Sequence, residues 1–310
     1  MNAPLSALRK FVVQAKHARL RLDQFLAREI PDVSRMRVQA LIRDRAVLLN
    51  GNTPRPRDIV KRGDRITVAS LREESDAQPT PASGTTVPLA ILHEDDDLIV
   101  LNKAAGVSVH PGAGHSTGTL VDALLAHSAS LSAVGGEMRR GIVHRLDKET
   151  SGCLVVAKND FTHLKLARQF AARSVEKIYL ALVCGKPRRD SGTIDASITR
   201  HRVHRTKMAV AREGGRAART DFRVVRSGAE ASLIECRLHS GRTHQIRVHL
   251  QHLGHPVLGD KVYAGRRGGN FPRQMLHAWK LAFDHPRTDE RVHFTAPFPE
   301  DFEAAMRAVL

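Results

Sequence analysis
The sequence predicts an α+β protein in two domains: a small α+β domain, then a larger one with a large mixed, mainly antiparallel sheet and flanking helices around a cleft. Three observations point there. Runs rich in Val, Ile and Leu, such as KIYLALVCGKP, TDFRVVRS and ASLIECRLHS, follow one another directly, which favours antiparallel neighbours. Helical periodicity appears between other such runs, in LVDALLAHS and FTHLKLARQFAAR. The composition breaks at residues 71–86, where LREESDAQPTPASGTT carries two Pro, a net charge of −2 and no periodicity, the marks of a linker. The expected division is an N-terminal tail over 1–17, a first domain over 18–70, a linker over 71–87 and a second domain over 88–310.

In the first domain, LDQFLARE sets Leu22, Phe25, Leu26 and Ile30 at helical spacing. Ser34 then suits the N-cap of RMRVQALIRDR, which mixes Met36, Val38, Leu41 and Ile42 with Arg35, Arg37, Arg43 and Arg45. VLLNGNTP reads as a strand breaking at an Asn-Gly turn, and KRGDRITVAS as a second turn and strand. Two short helices and a small sheet, with an arginine-studded second helix, suggest an RNA-binding module. Residues 20–68, with Ser34-Arg35, the Asn-Gly near Val47 and Gly63-Asp64, resemble the alpha-L RNA-binding domain first known in a small-subunit ribosomal protein. In the second domain DLIVLNKAAGVSVHP and CLVVAKND add strands, and no repeat at solenoid period is present.

Charge narrows the function. The 310-residue chain has 49 Lys and Arg against 32 Asp and Glu, a formal +17. Residues 1–70 hold a net +9 and 87–310 the remaining +10. Such an excess favours a polyanionic partner, because each neutralised phosphate releases condensed counterions. No run reaches the roughly 18 apolar residues of a membrane span, so no membrane partner is expected. Cys153, Cys184 and Cys236 lie far apart in apolar stretches and read as buried thiols of a reducing cytosol.

Several chemistries fall away. There is no phosphate-binding G-x-x-x-x-G-K-[ST] loop, and PGAGHSTGT is no dinucleotide fingerprint. His249, His252 and His255 are spaced by three, with Asp260 nearby, and His201 and His204 form a similar pair. Gly254 and Pro256 break any helix that would align the trio, and H-E-x-x-H is absent, so no metal is expected. GIVHRLDKETSG, residues 141–152, is the informative stretch. Its apolar flanks frame a loop at the end of strands, with Asp147 between Arg145 and Lys148. Neighbouring cations favour the ionised carboxylate, a poor general acid at neutral pH but a competent nucleophile or base. Glu149 could complete a two-carboxylate glycosidase pair, but such a pair needs one carboxyl kept neutral by apolar surroundings.

HRLDKETSG resembles the signature of the RluA-type pseudouridine synthases. LNKAAGVSVHP, KIYLALVCGKP, SGRTHQIRVHLQHLGHPVLGDKVYAG and QMLHAWKLAF match further blocks of that family in order, with Ala104 where the family commonly has Pro. The resemblance implies conversion of uridine to pseudouridine in RNA without any cofactor, and an RNA-binding cleft. It puts Asp147 at the catalytic aspartate, Arg145 in the space left by a flipped-out base and Tyr179 stacked on the uracil. Arg247 then pairs with Asp147, and Leu276 forms part of an apolar floor. The expected substrate is large-subunit (23S) ribosomal RNA, with transfer RNA the alternative. A non-catalytic RNA-binding or assembly factor and a nucleosidase are rival readings. ITRHRVHRTKMAV, with Arg202, Arg205 and Lys207, reads as a backbone contact. A cytoplasmic monomer is expected.

Overall fold
A computed structural model describes residues 9–30, 35–69, 87–111, 118–128, 130–201, 203–204 and 206–310. The chain divides into two compact units, Met1–Pro81 with Val134–Glu137, and Ala82–Ala133 with Met138–Leu310. No helix among the described residues is long and apolar enough to cross a membrane.

The small unit contains β1 (Arg9–Val12), α1 (Leu22–Glu29), α2 (Arg35–Arg43), β2 (Val47–Leu49) and β3 (Arg65–Val68). Its antiparallel sheet runs β1-β3-β2. Leu22, Phe25, Leu26 and Ile30 are buried together against Val38, Ile42, Val47 and Ile66, which is why the helical spacing was legible. Asn50 and Gly51 both have positive φ, 51° and 83°, the conformation a two-residue primed turn requires. Ser34 lies outside the described residues. Residues 9–13, inside the stretch expected as an N-terminal tail, carry β1 of this sheet. Phe11 pairs with Ile66 across β1 and β3, and Val13 is buried. A four-residue edge strand carries too little alternation to announce itself.

The large unit holds β4 (Ile91–Glu94), β5 (Leu98–Lys103), α3 (Leu120–His127), β6 (Ser151–Ala157), α4 (Asp160–Ala172), β7 (Glu176–Cys184), β8 (Ser191–Asp195), β9 (Ile198–Arg200), β10 (Met208–Val210), β11 (Arg219–Ser227), β12 (Ala231–Leu238), α5 (Gln245–His252), β13 (Leu276–Asp284), β14 (Arg291–Thr295) and α6 (Glu300–Val309). The main sheet runs β4-β5-β6-β13-β7-β12-β11-β8, with β14 also on β13. β9 and β10 form a separate hairpin. Every pairing in the main sheet is antiparallel except β6 with β13.

Both faces of the central strands are covered, so their sequences read as apolar runs. Ile99, Leu101, Leu154 and Val156 enter one core, while Leu98, Val100, Cys153 and Val155 enter another with Leu166 and Phe283. In β7 the period of two sends Tyr179, Ala181 and Val183 to the first core. Leu180, Leu182 and Cys184 face Phe302 and Ala305 of α6.

Two details of this scaffold carry expected outcomes. At the parallel pairing, Gly152 has φ +115°, and a Cβ there would lie 2.2 Å from the Ala278 carbonyl oxygen. Gly152→Ala should cost about 3 kcal/mol or more, read calorimetrically as a lowered unfolding temperature. The second is Asp97, which accepts from Arg287 Nε at 2.8 Å, Asn159 Nδ2 at 2.9 Å and Thr162 Oγ1 at 3.2 Å. These bonds, Arg287's foremost, hold its carboxyl well below the usual range despite burial. Because the folded-state pKa is depressed, this stabilisation is complete above the unfolded value of about 4 and is lost as pH falls through the folded value. Urea midpoints between pH 6 and 2.5 should therefore fall less steeply for Asp97→Asn than for the parent protein.

Candidate active site
The loop between His144 and Thr150 is held by alternating anchors. His144 stacks on Phe170 at 4.6 Å between centroids and accepts the Val155 N–H through Nε2 at 3.0 Å. Burial pushes its pKa down to about 3, so the ring is a neutral structural acceptor. Arg145 is exposed and donates from Nη1 to His110 Nε2 at 3.3 Å. Leu146 returns to the core. Asp147 closes a tight turn, its carbonyl accepting the Thr150 N–H at 3.0 Å.

Asp147, Arg145, Tyr179, Arg247 and Leu276 line one open cavity of about 560 Å³, counting the space at its mouth. The loop, β7, α5 and the start of β13 thus bring together five residues from four separate stretches of the chain. Arg247 Nη1 donates to Asp147 Oδ2 at 3.0 Å. Its other edge is committed to Asp260, Nε to Oδ2 at 2.7 Å and Nη2 to Oδ1 at 2.9 Å. Burial opposes the guanidinium's charge, but the Asp260 and Asp147 carboxylates outweigh it and raise its pKa. The ring of Tyr263 covers it at 5.0 Å. Tyr179 is buried, and burial followed by the charge of Asp147 raises its phenol pKa, so it offers a neutral ring and a retained proton.

Four residues assigned no part in the chemistry by the sequence hold this geometry. Asp260 aims Arg247. Lys103 is buried, and its ammonium donates to the carbonyls of Ala104, Val107 and Lys148 at 2.7, 3.0 and 3.1 Å. Burial lowers its pKa to about 7, with Glu149 pulling the other way. Arg273 makes a paired contact with Asp301 at 2.6 and 2.9 Å and also donates to the Glu149 carbonyl at 3.1 Å. His244 lines the cavity from the left-handed conformation at φ 56°. All four stand inside or beside recognised blocks, so position in a block was the available signal.

The remaining sequence candidates lie elsewhere. Arg43 and Arg45 are exposed in the small unit; Arg35 and Arg37 belong to α2, with side chains outside the described set. Lys207 is half-buried in the turn between β9 and β10, while Arg202 and Arg205 lie outside the described residues. His249 uses both ring nitrogens, on Thr220 Oγ1 at 2.9 Å and the Ala196 carbonyl at 3.0 Å. The three cysteines are free and buried.

Known proteins bear on this arrangement. Residues 97–252 match the family model described as RNA pseudouridylate synthase, and residues 20–66 match the S4 domain. An uncharacterized RNA pseudouridine synthase of Bacillus subtilis, YlyB, is 45% identical over 91% of this chain and 91% of its own. Ribosomal large subunit pseudouridine synthase D of Nitrosomonas europaea is 44% identical over 94% of this chain and 85% of its own. Among solved structures, human RNA Pseudouridylate Synthase Domain Containing 1 superposes with a TM-score of 0.58 at 31% identity, covering 70% of this chain and 86% of that one. The chain belongs to the RNA pseudouridylate synthase family: it is an RNA pseudouridine synthase, an isomerase, with an S4 domain in its N-terminal part.

Proposed function
We propose that Asp147 is the catalytic carboxylate, acting as nucleophile or base on a uridine flipped out of its stack into the cavity. The observation that carries this reading is the Asp147–Arg247 ion pair at the cavity wall, with the Tyr179 ring and Leu276 lining the same space. Isomerisation breaks the bond from N1 to the ribose C1′, joins C5 to that carbon, moves a proton from C5 and returns one to N1. It needs a charged carboxylate near the sugar and a surface that keeps the detached uracil from leaving. Arg247 supplies the counter-charge and the aim. Tyr179 offers a face for stacking, a contact that typically contributes about 1–3 kcal/mol per base. Arg145, exposed at the rim, is placed to enter the gap a flipped base leaves, where its planar guanidinium suits both stacking and phosphate contact.

The proposed substrate is large-subunit ribosomal RNA. Support comes from the relatives named ribosomal large subunit pseudouridine synthase D, in Nitrosomonas europaea and in Pseudomonas aeruginosa, the latter 43% identical over 91% of this chain. The S4 unit, with Arg43 and Arg45 exposed at the end of α2 and beyond it, would hold RNA backbone. The basic β9–β10 hairpin would add a second contact.

Tritium release from large-subunit transcripts labelled at uridine C5 tests the chemistry. The parent protein should release tritium without free uracil; free uracil would indicate a nucleosidase. Asp147→Asn should abolish release while RNA affinity stays within a few fold, and retained turnover removes Asp147 from the mechanism. Arg43→Ala with Arg45→Ala should weaken RNA binding and reduce its salt slope by about one unit per lost phosphate contact. Unaltered affinity after deletion of residues 1–70 would overturn the role given to the S4 unit.

A further inference from the structure
Hydrogen-bond accounting fixes the proton on one further cavity residue. Tyr263 Oη accepts the Met208 N–H at 2.8 Å and stands 2.9 Å from His244 Nδ1. Tyr263 is buried, and its hydroxyl has one proton to give. Among the described residues His244 Nδ1 is the acceptor within reach, so Nδ1 is the unprotonated nitrogen. Burial lowers the His244 pKa, against the pull of Asp147, and leaves the ring neutral. Its single proton is therefore on Nε2, for which no hydrogen-bond partner exists among the described residues. The residue lines the cavity with Asp147, Tyr179 and Leu276. Its backbone is left-handed at φ 56°, a conformation His adopts more readily than most residues other than Gly.

We propose that His244 reads the target base, its Nε2–H donating to a carbonyl oxygen of the uracil. The proposal rests on the reading of this cavity as the uridine site. Uracil accepts at both O4 and O2, whereas cytosine carries an amino donor at C4. Exchanging the tautomer to suit a donor would strand the Tyr263 hydroxyl, which the Met208 amide holds from the other side. The direction of the donor is thus set by a main-chain N–H in the neighbouring hairpin, that of Met208, 55 residues from Tyr263 in sequence.

The test compares the parent protein, His244→Phe and His244→Asn on large-subunit RNA transcripts containing uridine, 4-thiouridine or 2-thiouridine, with single-turnover conversion read in nucleoside digests. Sulfur is the poorer acceptor, so the parent should slow on the transcript whose contacted oxygen is replaced, and the two thio-substrates tell O4 from O2. His244→Phe should lose roughly 10- to 100-fold in rate on uridine, keep RNA affinity within about twofold by filter binding, and show no further loss on either thio-substrate. His244→Asn, which tolerates the left-handed backbone and retains an N–H, should recover most of the rate, which also controls for a folding defect in the Phe variant. Equal thio penalties in the parent and His244→Phe, or an undiminished rate in His244→Phe, would overturn the assignment. A parent protein that converts none of the transcripts would instead sink the uridine reading on which it rests.

Discussion
One buried guanidinium organises the candidate active site. Arg247 cannot be left without counter-charge in the core, since an unpaired buried cation costs several kcal/mol, and it stands between two carboxylates that are not equivalent. Asp260 is fully buried at its side chain and takes two parallel bonds, whereas the Asp147 side chain is 20% exposed and takes one. The asymmetry separates the two roles. The bidentate pair fixes the plane of the guanidinium, and the remaining Nη1 defines where Asp147 must sit. Tyr263 closes the free face of the guanidinium.

The backbone around Asp147 is fixed by a different device. Two buried basic side chains, Lys103 and Arg273, direct N–H groups onto main-chain carbonyls on the C-terminal side of the carboxylate, Lys148 O and Glu149 O. Gln274 adds a bond to Thr150 Oγ1 at 2.9 Å, and His277 meets Ser151 Oγ at the same distance. Four consecutive residues are thereby tied to β5, to the segment before β13 or to β13 itself. A loop with its main chain held this closely lets the carboxylate keep one direction without relying on substrate to order it.

Much of this was legible in the chain. Leu22, Phe25 and Leu26 announced α1 because their helical spacing is also their burial pattern. The runs that became β6 and β7 were readable because both faces of each strand are covered. Asp147, Arg145, Tyr179, Arg247 and Leu276 were nameable through ordered sequence blocks, and they share one cavity. What escaped was pairing over distance. Lysine and arginine read as surface residues in any one-dimensional pattern, so nothing in LNKAA or PRQML foretold that Lys103 and Arg273 would be buried and turned onto carbonyls. The lone parallel contact, two residue pairs between β6 and β13, leaves no periodic trace. The tautomer of His244 depends on Tyr263 and on a main-chain amide, which no residue pattern encodes.

The sequence distances within the site bear on how the enzyme comes into being on the ribosome. Asp147 and Arg247 are 100 positions apart, Glu149 and Arg273 are 124 apart, and Ser151 and His277 are 126 apart. Asp301, which steadies Arg273, lies in the last helix. A growing polypeptide that has emerged only through β12 therefore owns its carboxylate and Lys103, but neither the cation that aims the carboxylate nor the contacts from Arg273, Gln274 and His277. The contacts that fix Asp147 and the segment behind it are complete only once the chain through Asp301 has left the exit tunnel.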